Sequence, residues 1–358
     1  MRLTTCLAGA VLATALVAPS SGMTRAAAEE EVPAFAAFDA RGPTLRGTAR
    51  LDRGGARTLQ AVEWTGGSYV VSGGERVTVY ISPAYGDDPT MGRRWADFLG
   101  SLVHGSELAL LTAYVASIAE VEEICGGRQN VLGCYFGQRL VTVGDSSAGV
   151  SPESVAAHEY GHHVAANRIN APWIALDWGT KRWASQTGIC SRVQAGTVFP
   201  GDEGVNYSFN PGEAFAESYR VLIETKGSAV GYDWPIVDPS FRPDPRSLDA
   251  VREDVLHPWA GSSTKTIAGK FLRRSRTWTT RVATPLDGDL RIRVTVPGGG
   301  ANDVALLSSD GRTGLAKSSW DSSGAKSIEY RVCGVRSVRV RVIRGGRPAR
   351  FSLRVTAP

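Results

Sequence analysis

The sequence predicts an α+β domain followed by an all-β antiparallel sandwich domain. Helix and strand patterns are interleaved from residue 75 to 261, and only strand patterns follow from 262 to 358. The charge balance changes at the same place: residues 29–261 hold 19 basic and 29 acidic side chains, whereas 262–358 hold 19 basic and 6 acidic. Parts with such different charges are expected to have different surfaces and different roles.

Residues 1–28 are expected to be a signal peptide. Arg2 precedes an apolar run from Leu7 to Ala18, which is too short to span a bilayer, and small residues at 26–28 suit a cleavage site. No later segment reaches about 18 apolar residues, so no membrane span is predicted. We therefore expect a secreted, extracellular protein. Residues 29–74 are either an inhibitory pro-segment or the first strands of the domain.

The cysteine count predicts two disulfide bonds in an oxidising compartment. Removal of Cys6 with the signal peptide leaves an even set, Cys125, Cys134, Cys190 and Cys333. Cys125 and Cys134 flank a short glycine-containing loop, which favours Cys125–Cys134 and leaves Cys190–Cys333. No pair has C-x-x-C spacing, so a zinc ribbon or a thioredoxin-type site is not expected.

The first domain begins with interleaved strands and helices. In order, these are a strand (75–82), a helix (90–105), a buried strand (108–117), a short helix (117–127) and a strand (138–145). The first strand, ERVTVYIS, alternates apolar and polar residues. The first helix places Trp95, Phe98 and Leu99 on one side, and the second helix ends at a pair of glycines.

A well-capped helix follows in SPESVAAHEYGHHVAANRIN, residues 151–170. Ser151 is a favourable N-cap, and Pro152 suits the first helical position. A tryptophan-rich stretch comes next, and we expect its side chains to pack around the site rather than form subsites: Trp173, Trp178 and Trp183. Two further helices are predicted, PGEAFAESYRVLIETKG at 211–227 and LDAVREDVLH at 248–257.

The second domain consists of alternating strands, including DLRIRVTV, SVRVRVI and RFSLRV. Apolar residues alternate with arginines that should face outward, such as Arg291, Arg293, Arg339 and Arg354. These arginine rows could bind an anionic cell-surface or matrix polymer, pair with the acidic domain, or keep the strand edges soluble. Nucleic-acid binding is not expected, because the basic strands lack interleaved exposed aromatic residues.

The helix at 151–170 contains an H-E-x-x-H motif, which predicts a zinc site. Residues four positions apart share a helix face, so His158 and His162 can bind one ion, while Glu159 can reach a water molecule as a general base. His163 lies off this face. The glutamate and the absence of nearby cysteine ligands favour a catalytic ion over a structural one.

A catalytic zinc ion needs a third protein ligand. The metzincin pattern would place a glycine at 165 and a histidine at 168, but these positions hold Ala165 and Arg168. The helix at 211–227 offers Glu213 and Glu217 on one face, so one can bind the ion and the other can orient a histidine ring. Three further acids remain as alternatives: Asp177, Asp202 and Glu203.

At these residues the chain resembles the gluzincin metallopeptidases, and GEAFAESYRVL is similar to the ligand helix of the anthrax lethal-factor type. The resemblance covers about 30 residues and implies one catalytic Zn²⁺ with Glu213 as third ligand, Glu159 as base and Glu217 behind a ligand histidine. It also implies a tyrosine near the scissile carbonyl. Tyr207 is the counterpart, although its spacing to Glu213 is one residue shorter than in that family.

The expected architecture is thus an α+β zincin-like metallopeptidase domain (75–261) followed by an all-β antiparallel sandwich domain (262–358). The sandwich resembles bacterial pre-peptidase C-terminal domains through its strand pattern and the segment DVALLSSDG. The resemblance implies a zinc metalloendopeptidase that cleaves a protein or peptide substrate, and we expect the protein to be a monomer. The strand at 138–145 is either an edge that receives extended substrate or an ordinary core strand. The alternative function is a secreted binding protein with an inactive peptidase-like domain.

Overall fold

The computed structural model describes residues 64–127, 129–147, 149–296, 302–320, 325–346 and 350–358 of the chain. The expected signal peptide (1–28) lies outside these residues. So do residues 29–63, which belong to the segment interpreted above as either a pro-segment or the first strands. The described residues all belong to one compact unit. Among them, no helix combines the length and the apolar character needed to cross a membrane.

A five-stranded mixed sheet supports the first domain. Its strands are β1 (Thr65–Val70), β2 (Arg76–Ile81), β3 (Thr112–Ala116), β4 (Gly133–Phe136) and β5 (Arg139–Val143). They are arranged in the order β1-β2-β3-β5-β4; β2, β3 and β5 are parallel, while β1 and β4 run antiparallel to their neighbours. Because β1 pairs with β2, residues 65–70 belong to the first strands of this domain, ahead of the expected start at 75.

Eight α-helices are present in the described part of the first domain. They are α1 (Met91–Ser101), α2 (Ile118–Ile124), α3 (Pro152–Ala166), α4 (Ala175–Trp178), α5 (Lys181–Gln186), α6 (Ile189–Gln194), α7 (Pro211–Glu224) and α8 (Pro245–Leu256). The expectation of a strand from 108 was wrong at its start, because a 3₁₀ turn occupies Ser106–Leu110. Helices α4 to α6 were not predicted, since four to six residues are too few to show a helical period.

Helix α3 packs between the sheet and α7, which brings the two candidate ligand helices together. One side of α3 lies against β4 and β5, and another lies against α7. Val155, Tyr160 and Val164 of α3 are buried in the same core as Phe215 and Tyr219 of α7. The apolar residues of both helices therefore fix their relative position, and the polar residues between them have little room to move.

The second domain is an antiparallel β-sandwich of two sheets. Its described strands are β6 (Ser263–Lys270), β7 (Thr277–Ala283), β8 (Gly288–Thr295), β9 (Asp303–Leu307), β10 (Gly314–Lys317), β11 (Ser319–Trp320), β12 (Lys326–Val332), β13 (Ser337–Ile343) and β14 (Arg350–Ala357). The sheet orders are β10-β9-β13-β7 and β11-β12-β8-β14-β6. Leu290, Ile292 and Val294 point into the core, whereas Arg291 points outward, as the alternation predicts.

The sandwich is joined covalently to the helices of the first domain. The structure contains both expected disulfides, Cys125–Cys134 within the first domain and Cys190–Cys333 between α6 and the sandwich. Beside the second bond, the Asp287 backbone N–H donates to Ser185 Oγ over 2.9 Å, and Arg336 donates to the Ser185 carbonyl. The predicted domain boundary near residue 261 is therefore the point where helices give way to strands. The two domains are held together by the Cys190–Cys333 bond and by these hydrogen bonds.

Candidate metal centre

Helix α3 presents His158 and His162 from one buried face. Ser151 caps the helix by accepting a hydrogen bond from the Ser154 backbone N–H, and Pro152 occupies its first turn. The four-residue spacing places the two imidazole rings side by side, with centroids 5.0 Å apart. Both rings are at most 2% exposed, so water does not compete freely for their nitrogens.

Helix α7 brings Glu213 to these two rings. Asn210 caps α7 by accepting from the Gly212 backbone N–H, which places Glu213 in the first turn. Glu213 Oε2 lies 3.3 Å from His158 Nε2, and Glu213 Oε1 lies 3.4 Å from His162 Nε2. The three potential ligand atoms all lie within 4.8 Å of one another. Within the described residues, this is the group of His, Cys, Asp and Glu side chains arranged to hold a metal ion.

The alternative acids lie elsewhere. Asp177 is half-buried in α4, where burial raises the pKa of its carboxyl, and a side chain on Gly201 would lie 3.3 Å from its Oδ1. Asp202 and Glu203 follow in the loop before α7; Asp202 accepts from Asn206, and Glu203 accepts from Asn210. Among the described acids, Glu213 is therefore the one that meets both histidines.

Glu217 contacts the other nitrogen of His158. Its Oε2 lies 3.1 Å from His158 Nδ1, and both of its carboxylate oxygens also accept hydrogen bonds from Arg220. Burial opposes the charged form of Glu217, but the bonds to His158 and Arg220 outweigh it and lower the pKa of the carboxyl. An ionised Glu217 accepts a hydrogen bond from Nδ1–H, so Nε2 is the His158 nitrogen that faces Glu213.

Glu159 is fully buried beside the cluster. Both carboxylate oxygens lack a partner among the described residues, and burial raises the pKa of this group well above its usual value. The neighbouring β4 approaches closely here, because a side chain on Gly133 would lie 3.0 Å from Glu159 Cγ and 2.6 Å from a methyl group of Val155. Glycine at 133 therefore leaves space for the glutamate.

Tyr207 contacts the third candidate ligand directly. It lies in a 3₁₀ turn before α7, and its hydroxyl donates to Glu213 Oε2 over 2.6 Å. Burial, and then the charge of Glu213, raise the pKa of the Tyr207 hydroxyl well above its usual value. The hydroxyl therefore keeps its proton at neutral pH and remains a hydrogen-bond donor beside the cluster.

The donor set fits a zinc ion. Two imidazole nitrogens and one carboxylate oxygen are a common ligand set of catalytic zinc. His162 Nε2 is buried and makes no hydrogen bond among the described residues, although Glu213 Oε1 lies 3.4 Å away, so its bonding capacity is available to a metal ion. Burial lowers the pKa of His158, but hydrogen bonds to Glu213 and Glu217 outweigh it and raise that pKa to about 10. The pocket thus favours a cation, either a proton or a metal ion.

Of the two alternatives for the strand at 138–145, the structure shows the ordinary core strand. Strand β5, the predicted candidate at 138–145, lies between β3 and β4 and is therefore interior. In the described part of the chain, β4 is the edge strand on that side, and it runs antiparallel to β5. The short segment GCYF gives no alternating pattern, because all four residues are buried. Its position next to the site is visible only in the tertiary structure, where Gly133 of β4 lies beside Glu159.

Of the three tryptophans in the stretch after α3, Trp183 packs in the core, as expected, whereas Trp173 and Trp178 are partly buried. Trp183 is fully buried and meets Phe215 of α7 edge-on, with ring centroids 5.4 Å apart. Trp173 and Trp178 stack on each other at 4.6 Å. His163, which the spacing excluded from the site, contacts the Glu107 carbonyl and the Tyr135 hydroxyl on another side of α3.

Comparison with known proteins adds only partial structural similarities. No family model and no curated protein matches the sequence. The pre-peptidase C-terminal domain of a collagenase from Bacillus anthracis has 18% identity and a TM-score of 0.22, covering 26% of this chain and 88% of that chain. Aeromonas hydrophila PliG, a periplasmic inhibitor of g-type lysozyme, has 12% identity and a TM-score of 0.21, covering 28% and 91%. At these scores neither similarity identifies the fold or the activity of the chain.

Proposed function

We propose that this chain is a secreted zinc metallopeptidase of the gluzincin type. The observation that supports it most is the convergence of His158, His162 and Glu213, with the buried and unpartnered carboxylate of Glu159 beside them. A general base is useful only next to the position where it removes a proton. Secretion is supported by the predicted signal peptide and by the two disulfide bonds.

In this mechanism, His158, His162 and Glu213 would hold the zinc ion. When bound, zinc lowers the pKa of a water molecule from about 15.7 toward about 7 and polarises the scissile carbonyl. Glu159 accepts a proton from the attacking water and returns it to the leaving amine.

Two neighbouring elements would position the substrate. An extended peptide can add to the edge of β4, whose backbone passes Glu159 at Gly133. Tyr207, protonated and next to Glu213, can donate a hydrogen bond to the oxygen that gains charge during the attack.

One assay separates this function from its alternatives. Purified mature protein is incubated with unfolded casein, with and without a zinc chelator, beside Glu159→Gln. Cleavage that the chelator stops and the substitution abolishes supports the peptidase. Zinc binding without cleavage of casein favours a hydrolase of another amide or a binding protein.

The sandwich supports a second function, the binding of an anionic polymer. On its five-stranded sheet, Arg293 lies directly opposite Arg354, and Arg350 lies directly opposite Lys270. Like charges directly opposite each other destabilise a sheet, and a bound polyanion would relieve this repulsion. A shallow hollow of about 230 Å³ lies on the same face, bordered by Arg291, Arg293 and Arg354.

The four-stranded sheet offers a matched control for this second function. Arg281 and Arg339 also lie opposite each other there. The double substitution Arg293→Glu with Arg354→Glu should weaken binding to immobilised linear polyphosphate at least tenfold more than Arg281→Glu with Arg339→Glu, since a specific face requires its own arginines. Equal losses of affinity in the two double variants would show that binding depends on the overall positive charge and not on this face.

A further inference from the structure

We infer that Arg220 is a positioning residue for the metal site, acting through Glu217 on the ligand His158; this rests on the proposed function. Arg220 is only 5% exposed, between α7 and the segment that follows it. Its Nε donates to Glu217 Oε2 over 3.0 Å, and one terminal nitrogen donates to Glu217 Oε1 over 2.6 Å. The planar guanidinium therefore forms a bidentate ion pair with both oxygens of Glu217, which fixes the plane of the carboxylate.

The guanidinium is itself held on its other sides. The nitrogen that binds Glu217 Oε1 also donates to the Asp233 carbonyl over 2.6 Å, and the remaining terminal nitrogen pairs with Glu224 Oε2. Glu217, Arg220 and Glu224 are spaced three and four residues apart, so they line one face of α7. These contacts therefore hold the Arg220 guanidinium in one orientation. Its two hydrogen bonds to Glu217 then hold that carboxylate in place.

The same chain of contacts returns to the ligand helix. Glu224 Oε1 accepts from Ser154 Oγ over 2.6 Å, and Ser154 lies one helical turn before His158 on α3. The sequence His158–Glu217–Arg220–Glu224–Ser154 thus begins and ends on α3 and passes through α7. A closed set of polar contacts between two helices fixes their rotation as well as their distance, which apolar packing alone does less strictly.

Fixing Glu217 matters because it selects the nitrogen that His158 offers to the metal. Oε2 must stay in the plane of the imidazole to accept from Nδ1–H, and Nε2 is then the nitrogen that is directed toward Glu213 and remains available to a metal ion. A lysine at 220 would provide the charge at a single point and could not hold both carboxylate oxygens. A glutamine would leave the buried charge of Glu217 without its counter-ion.

The test measures zinc affinity in Arg220→Lys and Arg220→Gln by competition with a chromophoric chelator. Arg168→Lys is the matched control, because the Arg168 side chain is similarly buried, at 5% exposure against 7% for the Arg220 side chain, and pairs over 2.7 Å with Glu107, which accepts from Tyr160. All variants should lose stability in urea. Only the Arg220 variants should raise the zinc Kd, by about 10- to 100-fold, and shift the visible bands of the cobalt-substituted protein.

A zinc Kd within twofold of the wild type in Arg220→Lys, or an equal rise in Arg168→Lys, would overturn the inference. If Arg220→Gln does not fold, Glu224→Gln and Ser154→Ala interrupt the same chain of contacts at more exposed positions and should raise the Kd by a smaller factor. Because the readout is metal binding, it is separate from peptidase activity. Wild-type protein that binds zinc but cleaves nothing would refute the proposed function alone.

Discussion

Gly161 of α3 and Ala216 of α7 touch backbone to backbone: a Cβ built on Gly161 would lie 2.6 Å from Ala216 Cα and 3.0 Å from its carbonyl oxygen. Both neighbours are main-chain atoms, which cannot rotate aside. The absence of a side chain at 161 therefore sets how closely the two candidate ligand helices approach. Gly161 lies between the two histidines in sequence, and Ala216 lies between the two glutamates.

Gly161→Ala should push α3 and α7 apart. We expect a loss of about 1–3 kcal/mol in the free energy of unfolding, as for other overpacked cores, even though alanine favours the helix itself. The zinc Kd should also rise, since Glu213 would move away from the histidines. Urea unfolding and chelator competition measure the two effects. Gly314→Ala, where nothing lies within 4 Å of the added carbon, is the control and should change neither.

Glu159→Gln should remove activity without removing the metal. Glutamine has nearly the same shape but cannot accept the proton, so kcat should fall by about 10²- to 10⁴-fold. Zinc content should equal that of the wild type, because Glu159 is not among the clustered ligand atoms. Metal analysis together with casein hydrolysis checks both parts. Loss of zinc from this variant would place Glu159 among the ligands.

Tyr207→Phe should lower kcat by about 10²-fold at unchanged KM, if its hydroxyl stabilises the developing charge. In the structure the hydroxyl contacts Glu213 Oε2, so the variant also tests whether Tyr207 orients this carboxylate. A weaker zinc affinity with an unchanged kcat of the zinc-loaded enzyme would show that Tyr207 orients the ligand carboxylate and does not meet the substrate.

The interface of the two domains should give a pH-dependent stability through Lys181. This side chain is 1% exposed, donates to the Ala171 carbonyl and lies 4.4 Å from the ring centre of Trp259. Burial lowers its pKa from 10.5 to about 8. Between these two values the unfolded chain binds the proton and the folded chain does not, so the stability rises with pH.

The expected gain from pH 8 to 10.5 is about 2–3 kcal/mol, and below pH 8 this group adds no slope because both states are protonated. Lys181→Met keeps the apolar stem and removes the titration. The urea midpoint of the wild type should therefore rise more steeply with pH than that of Lys181→Met. Other groups that titrate in this pH range are present in both proteins, so their contributions cancel in the comparison. Parallel curves would argue against a neutral Lys181 in the folded protein.

The two disulfides should differ in their contribution to stability. Cys190–Cys333 closes a sequence separation of 143 residues, against 9 for Cys125–Cys134. In the chain-entropy model the longer loop contributes about 2 kcal/mol more. Replacing Cys190 and Cys333 by serine should therefore lower the unfolding midpoint more than replacing Cys125 and Cys134. If the loss of Cys125–Cys134 lowered the unfolding midpoint more, the shorter loop would stabilise the fold through specific contacts beside β4 and not through chain entropy.

Much of the candidate site followed from short-range patterns. The spacing of His158 and His162 and the Ser151 cap are properties of one helix, since helical periodicity projects residues four apart onto the same face. The spacing of Glu213 and Glu217 has the same origin. The alternating strands of the sandwich were equally visible, because a sheet with one buried face imposes a period of two.

Other features gave no local signal. Arg220 and Glu224 look like ordinary helix-surface residues in the sequence, and their role depends on contacts with Ser154 and Glu217. The edge strand β4 is short and buried on both faces, so it lacks an alternating pattern. Its order in the sheet depends on pairing with β5 and could not be predicted from either segment alone.

The sequence by itself determined that two histidines and a glutamate share a capped helix, that two acids share another, and that an arginine-rich sandwich follows. The tertiary structure decided which acid meets the histidines, which strand borders them and how the two helices are held. The physical reason is the range of the interactions. Helix and strand periods repeat over a few residues, whereas the approach of α3 to α7 depends on close packing between segments more than 50 residues apart, as in the 55-residue separation of His158 and Glu213.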